Sequence, residues 1–477
     1  MVLTRAWVRR WGADPDRAVL LGPDGPAADA RELDGLTRDG ACRLAAAGVG
    51  RGDRVLLSCA PSTATVVAYV AALRLGAVVV PANTAYTRPE LEHLVSDSGP
   101  ALAVLDDPAR AEGLGVPAAA SLASLPEGPA VEVDASAPGD PAMIAYTSGT
   151  TGRPKGAVLS HANLLAGAQS LVEAWGWTPD DRLVLALPLF HMHGLGVGVN
   201  GTLLAGASAV VLPAFSPDAV ADAVRDHDAT MFFGVPTMWA RLAASPRLPE
   251  LAALRLLVSG SAPLPTDLFE AVRAATGQAP LERYGMSETV MLAANPLHGE
   301  RRAGTVGRPL PAVEIRLADD GGVEVRGPNV FAGYWRQREA TEAAFTADGW
   351  FRTGDLGEWD EAGHLRLVGR ASELIITGGY NVYPREVEDA LRTHPAVDDV
   401  AVVGAPDPEW GEVVTAYVVE RAPVTDEALS EHLADRVAPY KRPRRWARLD
   451  ALPRNAMGKV VRADLPRLEP RQPQGGG

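Results

Sequence analysis

The chain has 477 residues, of which 47% are hydrophobic, and this composition supplies enough apolar material for about two to four domains. Its formal net charge of −14 excludes a broad basic face for nucleic acid, although a single local site can still hold a nucleotide. The chain has only two cysteines, Cys42 and Cys59, which predicts no disulfide framework. Its first segment lacks a long apolar run, which predicts no signal peptide. We therefore expect a cytoplasmic protein.

The first third of the chain alternates between strand and helix patterns. Apolar runs at Arg54–Cys59, Gly76–Pro81 and Ala101–Asp106 predict strands, and the segments Thr63–Leu75 and Leu91–Ser98 between them predict helices. Strands that are apolar throughout are typical of a parallel sheet with helices on its faces. The alternation resumes from residue 142 to about residue 281, so we predict an α/β fold of layered, mostly parallel sheets.

One long uncharged segment has the length and composition of a membrane-spanning segment. Leu183–Pro217 contains no Asp, Glu, Lys or Arg and is long enough to cross a bilayer. It also contains His191, His193, Asn200, prolines and many glycines. We therefore predict a loop, a buried helix and a strand at Ala209–Pro213, and no association with a membrane.

The last third of the chain indicates two further regions. Between residues 306 and 367 the pattern changes to short strands and turns, which predicts a β-rich subdomain at about 306–369. Helix and strand units then follow, among them Pro384–Thr393 and Val413–Val419, and they predict a small α+β domain. We therefore predict an N-terminal domain of residues 1–369, which includes the subdomain, and a C-terminal domain of residues 370–477.

The strongest local signal is the segment Tyr146–Gly156, which reads YTSGTTGRPKG and follows an apolar strand pattern. Backbone N–H groups of a glycine-rich turn can surround phosphate oxygens, the hydroxyls of Thr and Ser add donors, and Lys155 adds charge. The spacing of the P-loop of the GxxxxGK[ST] type is not met. The segment therefore predicts a phosphate-binding loop of another kind.

Further motifs follow this loop in order along the chain. They are RYGMSET at Arg283–Thr289, TGDL at Thr353–Leu356, VGR at Val368–Arg370, TGGYNVY at Thr377–Tyr383 and PRNAMGK at Pro453–Lys459. With the phosphate loop they resemble the adenylate-forming acyl-CoA synthetases, relatives of luciferase and of the adenylation domains of peptide synthetases. The resemblance covers nearly the whole chain and implies ATP, Mg²⁺ and coenzyme A as cofactor and co-substrates.

The resemblance implies a set of nucleotide-binding residues. In the phosphate loop they are Thr147, Ser148, Gly149, Thr150, Thr151, Gly152 and Lys155. Around the adenine and the α-phosphate they are Tyr284, Gly285, Met286 and Ser287, the last at a position where the family has Thr. At the ribose they are Asp355, whose carboxylate suits a diol, and Arg370.

The resemblance also implies the catalytic residues and a reaction in two steps. Glu288 would bind Mg²⁺, Lys459 would bridge the attacking carboxylate and the α-phosphate, and His191 is the third residue of this set. The first step yields an acyl-adenylate and pyrophosphate, and in the second step a thiol displaces AMP. Family members rotate the C-terminal domain between these steps.

The same rotation implies a thiol channel and a hinge. Gly378 and Gly379 would line the pantetheine channel, where the absence of a Cβ permits close approach. Ser372 would occupy the hinge. The segment Ala371–Glu373 departs here from the family, which usually carries Lys and Asp in it.

Three further segments bear on the acid substrate. PLFHMHGL contains His193, GVPTMWARL contains Arg241, and SGSAP contains Ser261, while Arg283 precedes Tyr284. Fixed arginine donors suit a carboxylate, and the combination resembles malonyl-CoA synthetases. The resemblance implies that His193, Arg241, Ser261 and Arg283 hold the distal carboxylate of malonate or methylmalonate.

The sequence leaves other functions open. A medium-chain or aryl acid could replace malonate if Arg241 is a surface residue, and a carrier-protein thiol or another nucleophile could replace coenzyme A. A non-catalytic nucleotide-binding module is disfavoured by the presence of Lys459, Glu288 and Asp355. We expect small-molecule partners only, with no nucleic acid and no membrane, and a monomer or weak homodimer.

Overall fold

In the computed structural model, which describes residues 1–23, 25–147, 154–455 and 458–468, helices alternate with strands through most of the chain. The chain divides into two units. The first unit consists of Met1–Ile315 and Val325–Phe351, and the second consists of Arg316–Glu324 and the described residues from Arg352 onward. The predicted boundary at residue 370 stays a prediction, whereas these units divide the chain at residues 316, 325 and 352.

The first unit contains a large, mainly parallel sheet, here called sheet A. In spatial order its strands are Arg308–Pro309, Ala293–Ala294, Leu281–Tyr284, Leu256–Ser259, Met231–Gly234, Arg182–Leu185, Ser208–Val211, Ala18–Gly22 and Gly25–Asp29. The strands from Leu281–Tyr284 to Ala18–Gly22 are parallel, and the strands at both edges are antiparallel. Phe232, Trp239, Leu257 and Phe269 form part of the apolar core on this sheet.

A second sheet of the first unit, sheet B, carries the phosphate-loop segment. In spatial order its strands are Gly333–Tyr334, Lys155–Ser160, Pro141–Thr147, Val78–Pro81, Arg54–Ser58, Leu102–Leu105 and Ala118–Ala119. Leu56, Val80, Leu91 and Ile144 belong to its core, which explains why these strands are apolar throughout.

Helices cover the sheets of the first unit. The α-helices are Leu3–Ala13, Ala30–Ala46, Thr63–Leu75, Arg88–Ser98, His161–Ala174, Asn200–Ala205, Pro217–Asp226, Pro236–Ala243, Thr266–Thr276 and Arg338–Ala344. A π-helix at His193–Val199 precedes Asn200–Ala205 directly. The uncharged segment thus begins in the strand Arg182–Leu185, which was not predicted, and continues with a loop, a buried helix and a strand. This last strand is Ser208–Val211 rather than the predicted Ala209–Pro213. Among the described residues, no helix combines the length and the apolar content that crossing a bilayer requires.

The second unit is built on two smaller sheets. Sheet C contains, in order, Glu314–Leu317, Gly322–Arg326, Phe351–Trp359 and Leu365–Arg370, and most of its residues belong to this unit. Sheet D contains Tyr380–Val382, Ile375–Thr377, Gly411–Glu420 and Val397–Asp407, and Arg445–Leu449 pairs with Gly411–Glu420 in parallel. The helices Pro384–Arg392 and Asp426–Ala434 bury Val387, Leu391, Leu429 and Leu433 on sheet D. The predicted α/β fold is confirmed.

Candidate active site

The phosphate-loop segment begins and ends on neighbouring strands of sheet B. Thr147 pairs with Lys155 and Tyr146 pairs with Gly156 across an antiparallel ladder. The hydroxyl of Thr147 donates to the carbonyl oxygen of Lys155 at 3.4 Å, which closes the base of the loop. The other predicted loop residues, Ser148, Gly149, Thr150, Thr151 and Gly152, lie outside the described residues, so their role stays a prediction.

The helix Arg88–Ser98 holds the base of this loop from one side. His93 donates from Nε2 to the carbonyl oxygen of Pro154 at 2.9 Å, and its ring meets the ring of Tyr146 edge-on at 5.9 Å. The Tyr146 hydroxyl donates to the carboxylate of Asp97. The residues on both sides of the loop are therefore fixed by the same helix.

The buried carboxylate of Glu288 lies in a cluster with Tyr334 and Lys155. The Tyr334 hydroxyl donates to Oε1 of Glu288 at 3.1 Å, and Nζ of Lys155 lies 5.3 Å from the centre of the Tyr334 ring. Tyr334 reaches this position because Gly333–Tyr334 pairs with Ala157 and Val158 in sheet B. The sequence motifs pointed to Glu288 and Lys155 but gave no signal for Tyr334.

The donor set at Glu288 fits a magnesium ion that is bound together with phosphate. Mg²⁺ in nucleotide sites is usually held by one or two carboxylates plus substrate phosphates and keeps several waters. Among the described residues, no group of three His, Cys, Asp or Glu side chains forms a complete protein site for a metal. Glu288 is thus suited to share such an ion with a bound nucleotide rather than to hold it in a protein cage.

The other predicted nucleotide contacts of the first unit lie at the carboxyl end of the strand Leu281–Tyr284. Tyr284 is buried, whereas Gly285, Met286 and Ser287 are half-buried in the turn that follows. Ligands of α/β proteins commonly bind at this edge of a parallel sheet. Val290 ends the turn with a φ of 58°, an unfavourable conformation for a β-branched residue, and such strain clusters at functional sites.

His193, Ser261 and Arg283, here called the acid cluster, meet at the same edge of sheet A. Ser261 Oγ lies 3.3 Å from Nδ1 of His193 and 3.5 Å from Nη2 of Arg283. His193 is the first residue of the π-helix, and its ring stacks on Phe233 at 6.4 Å. The strands Leu256–Ser259 and Leu281–Tyr284 are parallel neighbours, so Ser261 and Arg283 arrive at the sheet edge together.

Arg283 carries the charge of the acid cluster without an opposing carboxylate. Its side chain is buried, it forms no ion pair with any described residue, and its Nε and the Nε2 of His193 have no hydrogen-bond partner there. Desolvation lowers the pKa of Arg283 to about 9. A buried cation without an anion is costly, so an anionic ligand would stabilise this site.

The two histidines of this region are held neutral. Desolvation first, and then the Arg283 cation, lowers the pKa of His191 to about 4 and the pKa of His193 well below its usual range. Nδ1 of His191 accepts from the backbone N–H of His193 at 3.3 Å. At neutral pH the acid cluster therefore offers one cation from Arg283, the hydroxyl of Ser261 and the neutral imidazole of His193.

Arg241 is the fourth predicted acid-binding residue. It is exposed on the helix Pro236–Ala243, and its guanidinium carbon lies 4.9 Å from the centre of the Phe215 ring. No hydrogen bond among the described residues joins it to the acid cluster. The structure thus brings together three of the four predicted acid-binding residues.

Gly260 leaves space that the Arg283 side chain occupies. A Cβ at Gly260 would lie 2.3 Å from Nε, 2.4 Å from Cζ and 2.8 Å from Cδ of Arg283. We expect Gly260→Ala to fold, because a flexible side chain can move, but to displace the guanidinium and lower kcat/KM for the acid substrate about 10- to 100-fold. Steady-state kinetics with circular dichroism checks this.

Gly35→Ala provides the matched control for that substitution. A Cβ at Gly35, in the helix Ala30–Ala46, would meet no atom within 4 Å. Its kinetics should equal those of wild type. Equal kinetics for Gly260→Ala as well would show that the position of Arg283 does not matter for the acid.

In the second unit, Asp355 and Arg370 form an ion pair between neighbouring strands of sheet C. They occupy paired positions on adjacent antiparallel strands, and Nε of Arg370 lies 3.0 Å from Oδ1 of Asp355. The Thr353 hydroxyl accepts from the N–H of Asp355 at 3.1 Å and donates to the carbonyl oxygen of Val323 at 2.9 Å. The carboxylate is buried and is held in place by its contact with Arg370.

Lys459 makes two hydrogen bonds with Asn455 in the second unit. Its backbone carbonyl accepts from the N–H of Asn455 at 2.9 Å, and its N–H donates to Oδ1 of Asn455 at 3.0 Å. The side chain is exposed, yet desolvation by its crowded surroundings, and then the Arg370 cation, lowers the pKa of Lys459 below its usual value. The opposing effect comes from Glu373 and Asp355.

The predicted channel and hinge residues also lie in the second unit. Gly378 and Gly379 form the two-residue turn between Ile375–Thr377 and Tyr380–Val382, with φ angles of 56° and 82° that suit a type I′ hairpin. A Cβ at Gly378 would lie 2.8 Å from the Trp410 ring. Ser372 is exposed in the 3-10 helix Ala371–Glu373, directly after sheet C.

Comparison with known proteins gives matches that together span most of the chain. The AMP-binding enzyme family model matches residues 8–335, and the AMP-binding enzyme C-terminal domain model matches residues 386–459. Mitochondrial malonate–CoA ligase of Mus musculus is 37% identical over 89% of this chain and 83% of its own. A feruloyl-CoA synthase from Amycolatopsis is 37% identical over 96% and 97%. ATP-bound MatB from Rhodopseudomonas palustris superposes with a TM-score of 0.91 at 40% identity over 98% of both chains.

Proposed function

Because the chain belongs to the AMP-binding enzyme family, we propose that it is an ATP-dependent acid–CoA ligase that acts on malonate or methylmalonate. The acid–CoA ligase class is common to the mouse and Amycolatopsis relatives, and the chain is an enzyme of this class. The acid is the finer part of the proposal. The observation that carries it is the buried, carboxylate-free Arg283 in the acid cluster.

The acid cluster is suited to the second carboxylate of a short dicarboxylic acid. Arg283 supplies the charge and a planar set of N–H donors, and Ser261 supplies a hydroxyl. A neutral His193 can donate or accept without adding a second cation that would need its own partner. One carboxylate of malonate binds here, which leaves the other to react with ATP. Arg241 stays a predicted fourth contact.

The reaction then follows the two steps of the family. The free carboxylate attacks the α-phosphorus of ATP, which forms acyl-AMP and releases pyrophosphate, and the thiol of coenzyme A then displaces AMP. Lys459 stabilises the charge that builds on the α-phosphate and the attacking carboxylate. Glu288 would hold Mg²⁺, which would neutralise phosphate charge when bound, and His191 would lie beside the reacting acid.

The remaining predicted residues bind and orient the nucleotide and the thiol. In the proposal, Arg370 orients the carboxylate of Asp355 for both ribose hydroxyls, a use that their 3.0 Å contact supports. Gly378 and Gly379 border the path of the thiol, and Ser372 is the pivot of the second unit. Coenzyme A rather than a carrier protein is the proposed acceptor, and a monomer or weak homodimer stays a prediction.

An aryl acid is the second candidate, because the feruloyl-CoA synthase is as similar to this chain as the mouse malonate–CoA ligase is. A bulky apolar acid would leave Arg283 buried without an anion, which is the unfavourable arrangement. The two candidates therefore differ in whether the acid cluster contributes to binding.

An acid panel separates these candidates. ATP-dependent AMP release in the presence of coenzyme A is measured with malonate, methylmalonate, succinate, acetate, octanoate and a cinnamate. We expect kcat/KM for malonate or methylmalonate to exceed that for the monocarboxylic acids at least about 100-fold, because a site built for a polar group rejects analogues that lack it.

Arg241→Ala in the same panel tests the fourth predicted contact. A loss of malonate activity in this variant would support a pocket that Arg241 completes, whereas wild-type activity would restrict the pocket to the acid cluster. Efficient turnover of octanoate or the cinnamate would reject malonate as the substrate and keep the ligase chemistry.

A further inference from the structure

Tyr334 joins two groups that lie on different motifs of the first unit. Its hydroxyl donates to Oε1 of Glu288 at 3.1 Å, and its ring lies 5.3 Å from Nζ of Lys155. Nothing in the motifs that suggested the nucleotide site pointed to this residue. We propose that Tyr334 is a positioning residue that fixes the Glu288 carboxylate for the metal ion and the Lys155 ammonium for phosphate, an inference that rests on the proposed function.

The backbone around Tyr334 is well fixed, so its side chain has a defined direction. Tyr334 pairs with Ala157 at the edge of sheet B, and its N–H donates to the Thr341 hydroxyl at 2.9 Å. The Phe331 ring meets the Tyr334 ring edge-on at 4.9 Å. A tyrosine held in this way can orient a carboxylate without moving itself.

The same region is also tied to the helix that follows the phosphate-loop strand. Nδ2 of Asn163 donates to the carbonyl oxygens of Pro328 and Val330, each at 2.8 Å. The Ser160 hydroxyl accepts from the N–H of Asn163 at 3.1 Å, which caps the helix His161–Ala174. Tyr334 and Lys155 therefore belong to one connected framework, in which the strand Lys155–Ser160 pairs with Gly333–Tyr334 and the helix after it contacts Pro328 and Val330 through Asn163.

The two functions of the Tyr334 side chain can be separated chemically. The hydroxyl acts on Glu288 and hence on the metal ion, because partners that orient a metal ligand typically contribute about 10- to 100-fold to metal affinity. The ring face acts on Lys155 through a cation–π contact, which holds the ammonium group even without metal. Phenylalanine keeps the ring and removes the hydroxyl, whereas leucine removes both.

Calorimetric titration of the full chain with ATP tests the proposal without an assay of turnover. The measured quantity is the Mg²⁺ factor, the ratio of the Kd for ATP in EDTA to the Kd in saturating Mg²⁺. We expect Tyr334→Phe to lower this factor about 10-fold and to leave the Kd in EDTA unchanged within about twofold. We expect Tyr334→Leu to lower the factor equally and also to weaken binding in EDTA severalfold, because the ring is lost.

Tyr86→Phe is the matched control, since Tyr86 is also half-buried in the first unit and its hydroxyl has no hydrogen-bond partner among the described residues. It should titrate like wild type. A wild-type Mg²⁺ factor in Tyr334→Phe would overturn the positioning role and leave the proposed function intact. A wild-type chain that binds no ATP under either condition would overturn the proposed function, and this inference with it.

Discussion

Replacing Lys459 by alanine is expected to lower the rate of adenylate formation about 100- to 1000-fold. A preorganised charge directed at the developing charge of a transition state typically contributes a factor of this size. Desolvation, and then the Arg370 cation, lowers the pKa of Lys459, although its side chain is exposed. Isotope exchange between pyrophosphate and ATP in the presence of the acid measures this first step alone.

Measuring the second step distinguishes the loss of the Lys459 charge from misfolding of the second unit. If Lys459 serves only adenylate formation, Lys459→Ala should still convert preformed acyl-AMP and coenzyme A to the thioester at nearly the wild-type rate. Lys441→Ala is the control, because Lys441 lies in the same unit and pairs with Glu386 at 2.6 Å. Equal loss of both steps in Lys459→Ala, or slow pyrophosphate exchange in Lys441→Ala, would contradict the assignment.

Replacing Arg283 by methionine is expected to change activity and stability in opposite directions. Loss of the cation should lower kcat/KM for malonate by at least about 30-fold, since a buried charge pair typically loses 2 kcal/mol or more when one partner is removed. Without substrate, the variant should unfold at a higher temperature than wild type. An unbranched apolar chain replaces a buried cation that has no carboxylate, and exchanges of this kind contribute about 1–4 kcal/mol.

Arg255→Met is the control for this prediction, because Arg255 is an arginine that pairs with a buried carboxylate, Asp181. Nε of Arg255 lies 2.5 Å from Oδ1 of the buried Asp181. Its removal leaves an unpaired carboxylate, so the melting temperature should fall while kcat/KM for malonate stays at the wild-type value. A lower melting temperature in Arg283→Met would show that the cation is compensated in the apo protein, and unchanged malonate kinetics would place the acid elsewhere.

Local signals predicted helices and strands in the first third of the chain to within about three residues at each end. The helix Thr63–Leu75 has its predicted bounds because Ser62 accepts from the N–H of Thr65 at 3.1 Å and Gly76 ends the helix with a φ of 88°. The strand predicted at Arg54–Cys59 ends one residue earlier, at Ser58. The π-helix at His193–Val199 was not predicted, because glycine-rich sequences carry no periodic signal that separates its hydrogen bonds from those of an α-helix.

Candidate site residues that lie in sequence motifs could be named from the sequence. A residue that reaches the site only through strand pairing could not. His193, Ser261 and Arg283 were grouped by resemblance, and sheet A brings them together. Arg241 was placed on a helix correctly, but helical periodicity does not fix the direction of a long side chain, which lies over Phe215. Tyr334 lies 46 residues from Glu288 and meets it only through the strand pairing of sheet B.

The second unit is assembled from two separate stretches of sequence, and this limits how modules can be exchanged between relatives. The chain enters this unit at Arg316, leaves it after Glu324 and enters again at Arg352. Sheet C therefore combines strands from both visits, as the hydrogen bond from Thr353 to the carbonyl oxygen of Val323 illustrates. A graft of the second stretch alone would transfer Lys459, Asp355 and Ser372 but would pair them with a foreign hairpin. Recombination that keeps the unit intact must carry residues 316–324 along with it.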